Sequence, residues 1–284
     1  MYKLIAIDLD GTLLDDKKEI PKENLKLIHE LIDNGYEVVI ATGRRYWSAK
    51  QLTKNIDRPL VILANNGNIV RKTKNDEIIL KKYLNLGDFK VLIKEGRKRG
   101  LYPIIHVDNY EEGYDMIIEM DKGYKGYNNY LSKDEERYRR VGDYLELNES
   151  KVLAVIYSGN KCDMENFYFY INERYPNKYN SHIMENVQIA EAFLEIMNPM
   201  GSKWLSLQEY AKGRGILESE IIAIGDDNND IQMIKNAGCG IAMKNASKQV
   251  KNAADIITEK DNNESGVAFE LRKVLDFMKS SCNN

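Results

Sequence analysis

The chain has 284 residues, enough for two domains or one large α/β domain. Its 43% hydrophobic content argues for a real core and against wholesale disorder, and its net charge of −3 argues against nucleic acid or anionic membrane as the main partner. No apolar run approaches the roughly 18 residues of a membrane span.

Leu4-Ile5-Ala6-Ile7 reads as a short buried strand. It ends at Asp8-Leu9-Asp10-Gly11-Thr12, where two carboxylates meet a glycine turn. In an open α/β sheet, ligands bind at the carboxyl ends of strands. Carboxylates two residues apart repel unless they are neutralised, and a hard cation such as Mg²⁺ does so while keeping positions for water and phosphate. The plainer reading is that Asp8 and Asp10 are ordinary loop residues. Acid this early argues against a signal peptide. Cys162, Cys239 and Cys282 form no CxxC pair and no zinc spacing, which suits free thiols in a cytoplasmic protein.

Pro21 to Asn34 has helical spacing, with Leu25, Ile28, Leu31 and Ile32 on one face and Asn34-Gly35 as the stop. Tyr36 to Ala41 reads as a second buried strand, ending at Thr42-Gly43-Arg44. Tyr46 to Asn55 reads as helix, and Leu60 to Ala64 as a third strand, ending at Asn65-Asn66-Gly67. Apolar strands alternating with helices imply a mostly parallel sheet covered on both faces.

From about Tyr83 the texture changes. The stretch from Tyr102 to Tyr144 is rich in Tyr, Lys and Asp and poor in apolar continuity. Val152–Tyr157 and Phe193–Met197 read as strands that need not join the first sheet, and Asp163–Tyr175 reads as a helix packed on such a sheet. The first pattern then returns. Ser202–Lys212 reads as helix, and Ile221–Ile224 as a buried strand ending at Gly225-Asp226-Asp227-Asn228-Asn229-Asp230. Cys239–Ala242 and Ala254–Ile257 read as short strands, and Gly266–Met278 as a closing helix.

Four polar clusters therefore stand out: Asp8/Asp10, Thr42/Gly43/Arg44, Ser202/Lys203 and Asp226/Asp227/Asn229/Asp230. In this order they resemble the four motifs of the haloacid dehalogenase-like hydrolases, specifically the Cof-type phosphatases with a large cap between motifs two and three. The resemblance covers roughly residues 1–82 and 189–278, and it reaches the cap only through placement, size and texture. It implies an α/β fold: a Rossmann-like, mostly parallel sheet core at residues 1–83 and 189–284, with an inserted α+β cap at 84–188.

The resemblance further implies residue roles. Asp8 is the nucleophile and forms an aspartyl-phosphate. Asp10 is the general acid and base. Mg²⁺ is held by Asp8, the backbone carbonyl of Asp10, and Asp226. Thr42, Gly43 and Asn229 bind phosphate, Lys203 supplies positive charge beside Asp8, and Asp230 anchors Lys203 or the metal's waters. Arg44 either faces substrate or caps the following helix. Asn65-Asn66-Gly67 matches a family stretch near the substrate and also makes a good turn. Asp227 is not expected to be a ligand, and His29, His106 and His182 have no metal-ligand spacing.

The implied activity is hydrolysis of a small phosphomonoester such as a sugar phosphate, with no nucleic acid or membrane partner. The alternatives are a sugar phosphomutase on the same fold and a catalytically silent regulator that binds a phospho-ligand. Around Lys203 the run Met197-Asn198-Pro199-Met200-Gly201-Ser202-Lys203-Trp204 departs from the family pattern at Pro199, Gly201 and Trp204, which puts that loop's geometry in question. Tyr110, Tyr114, Tyr124 and Tyr127 are candidates for stacking on a substrate ring, against the plainer expectation of ordinary packing.

Overall fold

The computed structural model describes residues 1–119, 137–148, 151–187 and 190–281. Tyr124, Tyr127 and Cys282 lie outside the described residues. The chain divides into two compact units, one formed by Met1–Lys81 with Ser202–Asn284, the other by Lys82–Gly201.

The first unit opens with β1 (Leu4–Ile7), α1 (Lys22–Asp33), β2 (Glu37–Ala41), α2 (Tyr46–Leu52), β3 (Val61–Ala64), β4 (Ile69–Lys72) and β5 (Ile78–Lys81). The second unit contains α3 (Leu86–Arg97), β6 (Ile104–Val107), β7 (Met116–Glu119), β8 (Tyr138–Val141), β9 (Val152–Gly159), α4 (Lys161–Arg174), β10 (Asn180–Val187) and β11 (Ala190–Met197). The first unit then resumes with α5 (Lys203–Gly213), β12 (Ile221–Gly225), α6 (Ile231–Asn236), β13 (Cys239–Ala242), α7 (Lys248–Ala253), β14 (Ile256–Ile257) and α8 (Gly266–Ser281).

The first unit's sheet has the order β14-β13-β12-β1-β2-β3-β4-β5, parallel from β14 to β3 and antiparallel at β4 and β5. Its parallel part is doubly wound: taken in core order, the strands run 3-2-1-4-5-6, and the order reverses between β1 and β12. Every residue of β1 is fully buried, which explains why the strand is an unbroken apolar run. Leu4–Ile7 pairs in register with Ile221–Ile224 on one side and Glu37–Ile40 on the other. The loops after β1, β2, β3 and β12 therefore leave one edge of the sheet.

In α1, the buried face is Asn24, Leu27, Ile28 and Leu31 rather than one led by Leu25 and Ile32. The face shifts because the Asn24 amide is bonded inside. Its Nδ2 donates to the Leu13 carbonyl at 3.2 Å, and its Oδ1 accepts the Ala268 amide at 3.0 Å. Gly35, at φ 84°, follows the helix, and the Tyr36 amide donates to the Leu31 carbonyl, so the stop has the geometry that glycine permits.

The second unit's sheet runs β10-β11-β9-β6-β7-β8, antiparallel except for the β7–β8 pair. Phe89, Leu92 and Ile93 of α3 and Met164, Phe167 and Ile171 of α4 join Ile105, Val155, Tyr157, Leu194 and Ile196 in one core. Half-buried Tyr114 packs against that core, while Tyr110 lies beside the Arg137 guanidinium. Residues 190–201, read from sequence as part of the core domain, belong to this unit, because β11 pairs with β10 over Asn180–Val187 and with β9 over Ala154–Gly159. Among the described residues, no helix is long and apolar enough to cross a membrane.

Candidate active site

The polar residues at the strand ends of the first unit meet around Lys203. Ser202 caps α5, its hydroxyl accepting the Leu205 amide, and Lys203 is the first residue of that helix. Trp204 packs into the core with Leu207 and Tyr210, so the unusual residue beside the lysine is absorbed by packing. The Lys203 ammonium is 1% exposed and donates to Asp8 Oδ1 at 2.6 Å and to Asp230 Oδ1 at 2.7 Å. Burial alone would lower its pKa, but the charges of Asp230 and Asp8 outweigh burial and hold it charged.

Asp230 is fully buried, and both of its oxygens are engaged. Oδ1 accepts Lys203, and Oδ2 accepts the backbone amides of Asp226 and Asp227 at 3.1 and 3.2 Å. The residue thus shapes the loop after β12 and aims the lysine. Asp226 Oδ1 accepts the Thr12 hydroxyl at 2.8 Å. Asp227 is exposed and accepts the Asn228 amide, a turn contact.

One carboxylate oxygen each from Asp8, Asp226 and Asp230 lies within 4.8 Å of the others. Three carboxylates face one ammonium there. Burial, then the charge of Asp230, push the Asp8 carboxyl well above its ordinary range, and Asp226 is pushed up to about 6 by burial, with Asp230 and Asp227 adding to it. A hard divalent cation relieves that imbalance, and the all-oxygen donor set fits one.

Asp10 stands apart from this cluster electrostatically. Burial pushes its carboxyl up, but hydrogen bonds and charge from Arg44 and Lys18 outweigh burial and hold it at about 2. Arg44 donates from Nε to Asp10 Oδ2 at 2.5 Å and from Nη2 to Oδ1 at 2.7 Å, and Lys18 Nζ donates to Oδ1 at 2.8 Å. Arg44 therefore turns to the site and to the Ser48 hydroxyl, while Arg45 occupies the cap position of α2.

Thr42 is 1% exposed, and its Oγ1 accepts the Arg44 amide at 3.1 Å, which leaves the hydroxyl proton to donate. Beside it, a β-carbon on Gly43 would lie 3.4 Å from Asn66 Oδ1 and 3.8 Å from Asn229 Nδ2. Asn229 Nδ2 donates to Asn66 Oδ1 at 2.9 Å, linking the loops after β12 and β3. Asn65, Asn66 and Gly67 sit at φ 48°, 53° and 85°. Two consecutive left-handed residues are unusual even for asparagine, which tolerates that region better than most, and backbone held there gathers at functional sites. The Gly67 carbonyl accepts the Ser206 hydroxyl of α5 at 2.7 Å, so the turn braces the lysine's helix.

The structure brings together all the residues singled out from sequence at this edge. Asn66, from the turn after β3, is among them through Asn229, and Thr12, Ser206 and Lys18 join them. Thr12 was visible inside the first motif, whereas Ser206 and Lys18 carried no sequence signal. The three histidines are dispersed: His29 meets the Ile56 carbonyl, His182 pairs with Glu195 in the second unit, and His106 is buried in β6. Cys162 is exposed and Cys239 buried, both as free thiols.

Gly11 tests the packing here. It has φ 74°, and a β-carbon would lie 2.3 Å from Asp226 Oδ2. Gly11→Ala is expected to displace Asp226 and weaken divalent-cation binding by about 10- to 100-fold. Titration calorimetry with Mg²⁺ checks this, and unchanged affinity contradicts it.

A family model described as haloacid dehalogenase-like hydrolase matches residues 5–271. The chain belongs to that family. The hydrolase is 30% identical over 272 residues to the Bacillus subtilis 5-amino-6-(5-phospho-D-ribitylamino)uracil phosphatase YcsE, covering 95% of this chain and 94% of YcsE. It is 29% identical over 277 residues to YitU of the same organism, which carries the same phosphatase name, covering 95% and 96% of the two chains. Among solved structures, a haloacid dehalogenase-like hydrolase from Bacteroides thetaiotaomicron superposes with a TM-score of 0.80 at 29% identity, covering 96% of this chain and 100% of that one. With relatives named as phosphatases over 95% of the chain, the hydrolase is a phosphoric monoester hydrolase.

Proposed function

We propose that the hydrolase is a Mg²⁺-dependent phosphatase of a small phosphorylated metabolite, working through an aspartyl-phosphate on Asp8. The observation that carries this reading is the buried Lys203 ammonium between Asp8 and Asp230, with Asp226 beside them at the carboxyl edge of the sheet.

An oxygen of Asp8 attacks phosphorus, and the bond from phosphorus to the ester oxygen breaks. Asp10, once it leaves Arg44 and Lys18 and takes up a proton from solvent, passes that proton to the departing alkoxide. Asp10 then takes a proton from water, the water oxygen attacks the phosphorylated Asp8, and inorganic phosphate leaves with Asp8 restored. The Thr42 hydroxyl and the Gly43 amide hold phosphate oxygens, with Asn229 beside them. Lys203 offsets the charge of Asp8 and of the phosphoryl group. Asp8, the Asp10 carbonyl and Asp226 would hold Mg²⁺, which when bound neutralises nucleophile and phosphate so that the two anions can approach.

The names of YcsE and YitU, phosphatases of a phosphoribityl compound, support a small phosphomonoester as substrate. The second unit, inserted between the second and third motifs, is read as the cap that selects it. The test is phosphate release from a phosphomonoester panel. Stripping divalent ions with EDTA is expected to lower turnover by at least about 100-fold, with Mg²⁺ restoring it. Full turnover in the stripped enzyme, or no release from any ester with Mg²⁺ present, overturns the reading.

A further inference from the structure

Lys18 has its backbone in the left-handed region at φ 63°. The left-handed region disfavours an L residue with a β-carbon, and glycine or asparagine would sit there more easily. The turn that holds it is well defined. The Asp15 amide donates to the Glu19 carbonyl at 2.9 Å, and the Lys18 amide donates to the Asp15 carbonyl at 3.0 Å. Asp15 Oδ1 accepts the amides of Lys17 and Glu19, both at 2.9 Å. The neighbouring Asp16 carboxylate accepts the side-chain amides of Asn262 at 3.2 Å and Asn263 at 3.1 Å, and Asn262 also donates to the Leu14 carbonyl at 3.0 Å. The loop is thus tied down on both sides, and it delivers a lysine where the backbone favours something else.

What the lysine gains is the Asp10 carboxylate, 2.8 Å from its Nζ. The same carboxylate receives the planar fork of Arg44 on both oxygens. Two cations on separate loops converge on one anion. Their side chains are 51% and 30% exposed, so a ligand can reach them. A guanidinium fork with an ammonium beside it matches a carboxylate or a phosphate.

This step rests on the hydrolytic mechanism above. To protonate the leaving oxygen, Asp10 turns its carboxyl away from both cations. The charge-assisted hydrogen bonds it gives up must be replaced by water or by the substrate. A substrate that carries a second anion restores those bonds, and a substrate without one does not.

We propose that Lys18 is a specificity-determining residue that forms, with Arg44, a seat for a second anionic group of the substrate, a seat held in this structure by the Asp10 carboxylate. The substrate class is then a phosphomonoester bearing a further carboxylate or phosphate.

The experiment compares kcat/KM for matched esters with Mg²⁺ present: 3-phosphoglycerate against glycerol 3-phosphate, and fructose 1,6-bisphosphate against fructose 6-phosphate. p-Nitrophenyl phosphate reports the basic reaction. The wild type is expected to prefer the doubly anionic member of at least one pair by about tenfold or more. Lys18→Met is expected to lower that ratio by about tenfold, and Lys18→Arg to keep it. Lys18→Asn separates specificity from structure. Asparagine suits the left-handed turn, so this variant is expected to melt no lower than wild type and still lose the preference.

Equal ratios in wild type and Lys18→Met overturn the proposal, as does an equal loss on both members of a pair. Hydrolysis of p-nitrophenyl phosphate without preference in either pair overturns it while leaving the phosphatase reading intact. No hydrolysis of p-nitrophenyl phosphate or of any ester brings down the phosphatase reading itself.

Discussion

Asp8→Asn is expected to lower phosphate release by at least about 10⁴-fold while leaving the protein folded. Asparagine has the shape of aspartate, and its carboxamide oxygen can still accept the Lys203 ammonium that lies 2.6 Å from Asp8 Oδ1. What it lacks is a nucleophilic anion. Removing that anion also reduces three clustered carboxylates to two against one ammonium. Burial and the neighbouring carboxylates already disfavour a charged Asp8 in the metal-free protein. The variant is therefore expected to melt at the same temperature as the metal-free wild type or above it. Mg²⁺ should stabilise the variant less than the wild type, because one of the three proposed ligands has lost its charge. Thermal melts with and without Mg²⁺, run beside a phosphate-release assay, check all three statements. Residual activity within tenfold of wild type places the nucleophile elsewhere.

The sheet core was legible in sequence because a strand buried on both faces must be apolar throughout. Leu4–Ile7 and Ile221–Ile224 satisfy that rule, and they pair residue for residue. The site was legible for a related reason. Polar residues that interrupt such runs at their carboxyl ends must share an edge once the strands are parallel. The second unit was harder to read. Its sheet ends hold charges in place of an apolar run: Glu119 is 1% exposed and pairs with Arg97, which also pairs with Asp143 at 2.6 Å. The limit of the insertion was read short because β11 lies next to the returning core in sequence but pairs with β9 and β10. Lys18 could not be read at all. Its reach to Asp10 depends on a turn set by Asp15, Asn262 and Asn263, and no local spacing encodes that geometry.

Lys203→Met is expected to destabilise the metal-free protein by about 3–5 kcal/mol, because it leaves buried carboxylates without their counter-charge. Methionine keeps much of the lysine's length and apolar stem, so the lost charge and its two hydrogen bonds dominate the change. The ammonium is almost fully buried and bonds only carboxylates, so water offers no substitute on its removal. Mg²⁺ is expected to recover more stability in this variant than in the wild type, since a cation at Asp8 and Asp226 supplies part of the missing charge. Its recovery should stay incomplete, because both Asp230 oxygens face inward, one to the lysine and one to the Asp226 and Asp227 amides. Adding Asp230→Asn to Lys203→Met removes that stranded charge. The double variant is therefore expected to be more stable than Lys203→Met alone, with a coupling of about 1–3 kcal/mol. Urea unfolding of the four proteins in a cycle measures it. Simple additivity would mean that Asp230 positions the loop after β12 without holding the lysine, and the chain of contact from Asp230 through Lys203 to Asp8 would fail.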